Sequence, residues 1–194
     1  MFTIVGLGNP GIEYESTRHN AGRIVLTNFL THYNFPKPVV SNVYGGQCTE
    51  GMVERERVRV LFPKTYMNES GSSVAKVMKD ADRTRLIVVH DELDLALGTF
   101  KISRGSGSGG HRGVDSVIRA LGSNDFVRVR IGIAPVSFFG NLKKPQGEGS
   151  VSRFVLGTFG SRERKVLEEC MPNITNALVT IMTQSVDAAM NTYN

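Results

Sequence analysis

Short apolar runs rich in β-branched residues recur along the chain at residues 2–5, 58–62, 86–89 and 127–133, with weaker counterparts at 45–53 and 99–103. Runs of this kind predict strands. Between them, apolar residues fall at helical spacing, as in Ile24, Val25, Phe29 and Leu30, and predict helices over 20–33, 71–80 and 114–121. Strands alternating with helices predict an α/β fold: a single three-layer domain spanning 1–194, with a central sheet flanked by helices. Two further helices are expected at 161–171 and 174–192, the first capped by Ser161, with Pro172-Asn173 as the interruption.

Two stretches have no apolar periodicity and read as loops. Residues 105–110 are all glycine or serine and follow Arg104, and residues 135–150 carry proline, glycine and the pair Lys143-Lys144. The second is long for a connection inside a compact domain, which marks it as a functional loop or a locally disordered one.

The chain of 194 residues, 40% hydrophobic, is long enough for one substantial core and short for two. A net charge of +5 and a pI near 9.4 favour acidic partners. The charge is local: Lys101, Arg104, Arg112, Arg119, Arg128 and Arg130 face only Asp115 and Asp125 in the same span of sequence. Cys48 and Cys170 lack any metal-binding or redox spacing and read as reduced thiols. No apolar run approaches the roughly 18 residues of a membrane span, and the first strand occupies the place of a targeting segment. A cytoplasmic protein with no membrane association is expected.

Four clusters carry candidate chemistry. The first, Gly6-Leu7-Gly8-Asn9-Pro10-Gly11 followed by Thr17-Arg18-His19-Asn20, puts a histidine and two asparagines just beyond the first strand, where ligands of open α/β sheets bind. A dinucleotide site would need an acid about 20 positions on to hold the ribose. None occurs between Glu15 and Glu50, so the glycine pattern does not make a nucleotide-binding oxidoreductase. The second cluster runs from Pro63 to Gly71 and contains Asn68, an uncharged donor and acceptor suited to a water or an oxyanion; a helix cap is the alternative.

In the third, an apolar strand ends in His90-Asp91-Glu92-Leu93-Asp94. Asp91 is the candidate to fix the tautomer of an imidazole, and surface carboxylates are preferred there to a metal site. The fourth, Gly109-Gly110-His111-Arg112-Gly113, opens a helix whose backbone amides, with the charge of Arg112, are expected to favour phosphate or another anion. Nucleophilic serine chemistry lacks support: residues 105–109 miss the register of a nucleophile elbow, and Ser73-Val74-Ala75-Lys76 lacks its companion segments.

Taken in order, G-L-G-N-P-G-x-x-Y-x-x-T-R-H-N, P-K-T-Y-M-N-x-S-G, H-D-E-L-D-L and G-G-H-x-G make the chain resemble the bacterial-type peptidyl-tRNA hydrolase family over residues 2–133, and again over 151–157. The resemblance implies a monomer with a mixed, twisted sheet that uses no cofactor or metal. It implies cleavage of the ester joining a peptide to the 3′-terminal ribose of tRNA. His19 then resembles the family's catalytic base, Asp91 the carboxylate that orients it, and Asn68 the amide that holds the attacking water or the oxyanion. Asn9, Tyr14, Met67 and His111 match positions lining the substrate cleft. Arg112 stands where the family usually has asparagine, so it joins the substrate-binding set with altered contacts. For tRNA phosphates the resemblance implies Arg130, with Lys143 or Lys144 as counterparts of a loop lysine, and Arg104 substituting beside Ser103. The rival is a non-catalytic RNA-binding relative on the same fold, such as an organellar splicing factor, because fold alone does not establish activity.

Overall fold

The computed structural model describes residues 1–137 and 140–194. Phe138 and Phe139, inside the loop expected at 135–150, lie outside the described residues.

Seven strands form one mixed sheet: β1 (Phe2–Gly6), β2 (Val39–Ser41), β3 (Gly46–Val53), β4 (Glu56–Pro63), β5 (Leu86–Ala96), β6 (Phe100–Arg104) and β7 (Val127–Ala134), in the spatial order β2-β3-β4-β1-β5-β7-β6. The four inner strands β4, β1, β5 and β7 run parallel, while β2, β3 and β6 pair antiparallel at the two sides. The parallel strands are covered on both faces, which is why their sequences read as nearly unbroken apolar runs. Every residue of β1 is buried.

Alternation along the strands divides the core in two. Phe2 and Ile4 of β1 pack in one cluster with α1 (Ala21–His32), α5 (Ser161–Thr183) and α6 (Val186–Tyr193). Val5 and Leu7 pack in the other, with α2 (Ser70–Val77) and α3 (Arg112–Leu121). Helices thus cover both faces, and the three-layer α/β expectation holds. Helix α1 lies very close to the sheet: a Cβ on Gly22 would sit 2.2 Å from the carbonyl oxygen of Val89. That approach draws the start of α1 against β5.

Three local expectations change. Pro172 does not interrupt its helix, and α5 continues through it to Thr183 before a break at Gln184 and Ser185. Proline removes one i→i−4 bond, but Pro172 and Glu168 are exposed, so the loss falls on the solvent side of the helix and away from the core. Leu167, Cys170, Met171, Ile174, Ala177 and Leu178 are all buried and hold both halves on one core. Ser161 is the first helical residue rather than the cap; the cap position is Gly160, whose N–H donates to the Glu163 carboxylate at 2.7 Å. Finally, residues 148–150 are not loop but the start of α4 (Glu148–Val155).

Candidate active site

The first strand ends at Gly6, and the chain then returns to the sheet through two short 3-10 turns, Ile12–Tyr14 and Arg18–Asn20. His19 lies in the second turn, immediately before α1. Its placement depends on distant residues. Thr17 forms an isolated bridge with Thr158, and Arg18 N–H donates to Gly157 O at 3.0 Å. The Arg18 guanidinium bonds both oxygens of Glu163, at 3.0 and 2.8 Å, and lies over the Phe154 ring. Sequence reading missed Arg18 and Glu163 as supports of this turn, because their partnership spans 145 residues.

Asp91 comes from β5, which runs on through the acidic cluster instead of ending before it. Its register against β7 shifts between Glu92 and Ala96, just past Asp91. Such irregularities commonly re-aim side chains next to active sites. Asp91 and Glu92 are buried, so of the three acids only Asp94 is the surface carboxylate expected there.

Two histidines meet the Asp91 carboxylate. His19 Nδ1 lies 3.0 Å from each oxygen, and His111 Nε2 lies 2.8 Å from Oδ1. The tautomers follow from the surrounding bonds. His111 Nδ1 accepts from the N–H groups of Gly113 and Val114, at 3.1 and 3.2 Å, so its proton resides on Nε2 and points to Asp91. His19 likewise donates from Nδ1, leaving Nε2 as its basic nitrogen. The expectation of an anion on the α3 amides is corrected here: the His111 ring caps the helix and occupies the Gly113 and Val114 donors.

Burial disfavours the charged form of Asp91, but the electrostatic pull of the His19 and His111 rings and their hydrogen bonds overcome it and hold the carboxyl far below the usual range. Burial also opposes protonation of His19, and the charge and hydrogen bond of Asp91 outweigh it, so the imidazole pKa is raised; Arg112 pulls weakly the other way. His90 behaves differently. Its Nδ1–H donates to the Asp91 carbonyl at 2.7 Å, and burial followed by the nearby His111 pushes its pKa well down, so it stays neutral.

The ligand atoms of His19, Asp91 and His111 lie within 4.8 Å of one another, a possible metal cluster by distance. The hydrogen bonds argue for proton handling instead, since the His111 nitrogen facing Asp91 carries a proton and its other nitrogen is taken by two amides.

A cleft of about 590 Å³ opens over this triad and is lined by Asn9, Tyr14, Met67, Asn68, His111 and Arg112 among others. All the sequence-predicted catalytic and substrate residues therefore share one cavity. Asn9 is fixed on both sides: Asn20 bonds its backbone N–H and C=O at 2.8 and 2.9 Å, and Asn9 Oδ1 accepts from Met67 N–H at 2.8 Å. Asn68 is exposed at the cleft in the turn Met67–Glu69, and its side chain caps no helix and makes no hydrogen bond among the described residues. Its amide is open to a ligand. Arg112 forms an ion pair with Glu148, joining α3 to α4 across the cleft mouth. Helix α4 supplies a cleft wall through Val151, Ser152 and Val155 that the sequence pattern does not foreshadow.

The expected phosphate contacts are not gathered in one place. Arg130 Nε bonds Glu92 at 2.9 Å, and its strand neighbour across the β6–β7 ladder is the exposed Lys101, counted in the local basic excess but not among the expected phosphate contacts. Arg104 is an odd number of positions from Lys101, so it projects to the opposite sheet face, and it is held by Asp125 at 2.7 Å. Lys144 pairs with Asp94, while Lys143 is exposed.

The family described as peptidyl-tRNA hydrolase matches residues 3–194. The peptidyl-tRNA hydrolase of Syntrophotalea carbinolica is 37% identical, over 100% of this chain and 97% of its own length. That of Thermodesulfovibrio yellowstonii is 38% identical, over 100% and 99%. The crystal structure of peptidyl-tRNA hydrolase from Acinetobacter baumannii superposes with a TM-score of 0.90 at 33% identity, covering 100% of this chain and 94% of that one.

Proposed function

This chain belongs to the peptidyl-tRNA hydrolase family and is a hydrolase, and from that premise we propose that it releases peptide from peptidyl-tRNA by a base-catalysed attack of water, with His19 as the base. The observation that carries the reading is the Asp91 carboxylate, 3.0 Å from His19 Nδ1, in the floor of a cleft. Held by that bond, His19 Nε2 takes a proton from water as the oxygen attacks the ester carbonyl. The ionised Asp91 stabilises the imidazolium that forms. His19 then returns the proton to the departing 3′ oxygen of the ribose, so one group serves both halves of the reaction.

Asn68 offers its amide to the attacking water or the oxyanion. Asn9, with Nδ2 making no hydrogen bond among the described residues, has donors left for a substrate carbonyl, and Tyr14, Met67 and Arg112 complete the cleft surface. His111 donates to Oδ1, an oxygen that His19 also contacts, and keeps the carboxylate aligned. Arg130, Lys101 and Lys143 contact phosphates of the tRNA body, which positions the substrate without reading its sequence. The protein works as a monomer without cofactor in the cytoplasm. Among the described residues, no helix is long and apolar enough to cross a membrane.

The test is release of the acyl group from an N-blocked aminoacyl-tRNA by the purified protein. Binding without release would overturn the hydrolytic reading and favour an RNA-binding role.

A further inference from the structure

A second cavity of about 1010 Å³ lies on the far side of Asn9, between α1 and the β3–β4 hairpin. The two cavities share Asn9, and the turn after β1 forms the ridge between them. Apolar walls come from Ile24, Leu30, Phe35 and Phe62, and the cations Arg23, Lys37 and Lys64 stand against one lining acid, Glu15.

Arg23 is built into this groove. Its stem lies across Gly8, where an added Cβ would come within 2.3 Å of Arg23 Cδ, so any larger residue at position 8 would lift the arginine away. Its head donates to Pro63 O at 2.9 Å and to Gln47 Oε1 at 3.4 Å, and it stands over the Phe62 ring at 5.2 Å. Both acceptors are neutral, and among the described residues Arg23 forms no ion pair. Burial, partly offset by Glu15, lowers its pKa from the ordinary value, yet a guanidinium stays charged. A half-buried cation fixed by neutral groups retains free donors and attracts an anion.

We propose that this groove binds the peptide moiety of peptidyl-tRNA upstream of the esterified residue, with Arg23 meeting an acidic side chain there. The inference rests on the hydrolytic reading above. Peptide is the favoured occupant over tRNA because the walls are aliphatic and aromatic side chains flanking a single fixed cation, and because the groove adjoins the ester site across Asn9. A peptide leaving the catalytic cleft over that ridge enters the groove; its apolar side chains meet Ile24 and Phe35, and a carboxylate reaches Arg23.

The experiment compares three esters on one tRNA: an N-acetylated single residue, a pentapeptide with glutamates upstream of the same esterified residue, and the same pentapeptide with glutamines. The wild-type protein should show a KM for the glutamate pentapeptide about tenfold below that for the glutamine one, as expected for one charge-assisted bond. Arg23→Gln should erase that difference and leave the single-residue ester unchanged. Lys37→Glu, at an exposed rim position remote from the packing of Arg23, should narrow the preference independently of any folding defect in Arg23→Gln.

Equal KM values for the two pentapeptides in the wild-type protein would overturn the proposal. Equal weakening of all three esters by Lys37→Glu would also overturn it, by assigning the groove to tRNA. Absence of hydrolysis of the single-residue ester by the wild-type protein would instead sink the hydrolytic reading itself.

Discussion

His19 Nδ1 is equidistant, at 3.0 Å, from the two carboxylate oxygens of Asp91. The ring is therefore fixed by a symmetric pull from below while its other nitrogen addresses the cleft. His19→Ala should lower turnover about 10²- to 10⁴-fold, the usual contribution of a general acid-base group. Binding of tRNA, measured by filter retention, should stay within a few-fold of the parent. Turnover close to the parent value would remove His19 from the mechanism.

The pH dependence has a definite sign. A base works when neutral, and the His19 pKa is raised by Asp91, so activity should fall as the pH drops through a value above the ordinary imidazole one. Asp91→Asn removes the charge that favours the imidazolium, so turnover should drop and the acid limb should move to lower pH. Stability follows the same linkage. The raised pKa of His19 stabilises the fold below the ordinary imidazole value, and that contribution fades as pH rises through the folded one. The depressed pKa of Asp91 stabilises it above the ordinary carboxylate range and is lost only as pH falls toward its low folded value. Rate profiles and urea midpoints across pH would check both; an unmoved acid limb in Asp91→Asn would make Asp91 merely structural.

Arg18→Ala should cost about 1.5–3 kcal/mol of stability, the range for hydrogen bonds to a charged partner. It should also lower kcat more than it raises KM, because the turn bearing His19 loses its tie to Glu163. Glu163→Gln keeps one acceptor and should fall between. Chemical denaturation and steady-state kinetics on the two variants decide the point: a stability loss with kcat unchanged would separate the tie from catalysis.

Arg130→Ala should weaken peptidyl-tRNA binding and flatten its salt dependence by roughly 0.7 to 0.9 units of slope for each phosphate that is no longer neutralised. A short ester without the tRNA body should be hydrolysed as before. Lys143→Ala with Lys144→Ala should act more weakly, since both lysines are exposed and their charges more fully screened than that of Arg130. Salt titrations of binding would show it, and an unchanged slope in Arg130→Ala would place the tRNA on another face.

The sheet and its flanking helices were legible because their signals are local: the runs that became β1, β4, β5 and β7 are apolar enough to be read one at a time. The parts that escaped have weak local patterns. Strand β2 has only three residues at an exposed edge, and α4 buries none of its residues fully. Pro172 misled because a breaker's effect depends on which side of the helix faces water. At the site, the residue types near His19, Asn68, Asp91 and His111 were legible as motifs. The tie from Arg18 to Glu163, the anchoring of Arg130 by Glu92, and the capping of α3 by the His111 ring were not, since each is set by tertiary neighbours.

The place of β1 in the sheet bears on how the chain reaches its fold. Its residues pair with Val58 to Leu61 on one edge and with Leu86 to Val89 on the other. During synthesis β1 thus keeps one hydrogen-bonding edge open until β4 has emerged and the other until β5 follows. Parallel pairings across such separations carry a high contact order and fold slowly, with aggregation-prone edges exposed meanwhile. Mutations that weaken β1 pairing should therefore show first as reduced soluble yield during synthesis, before any change in the purified enzyme.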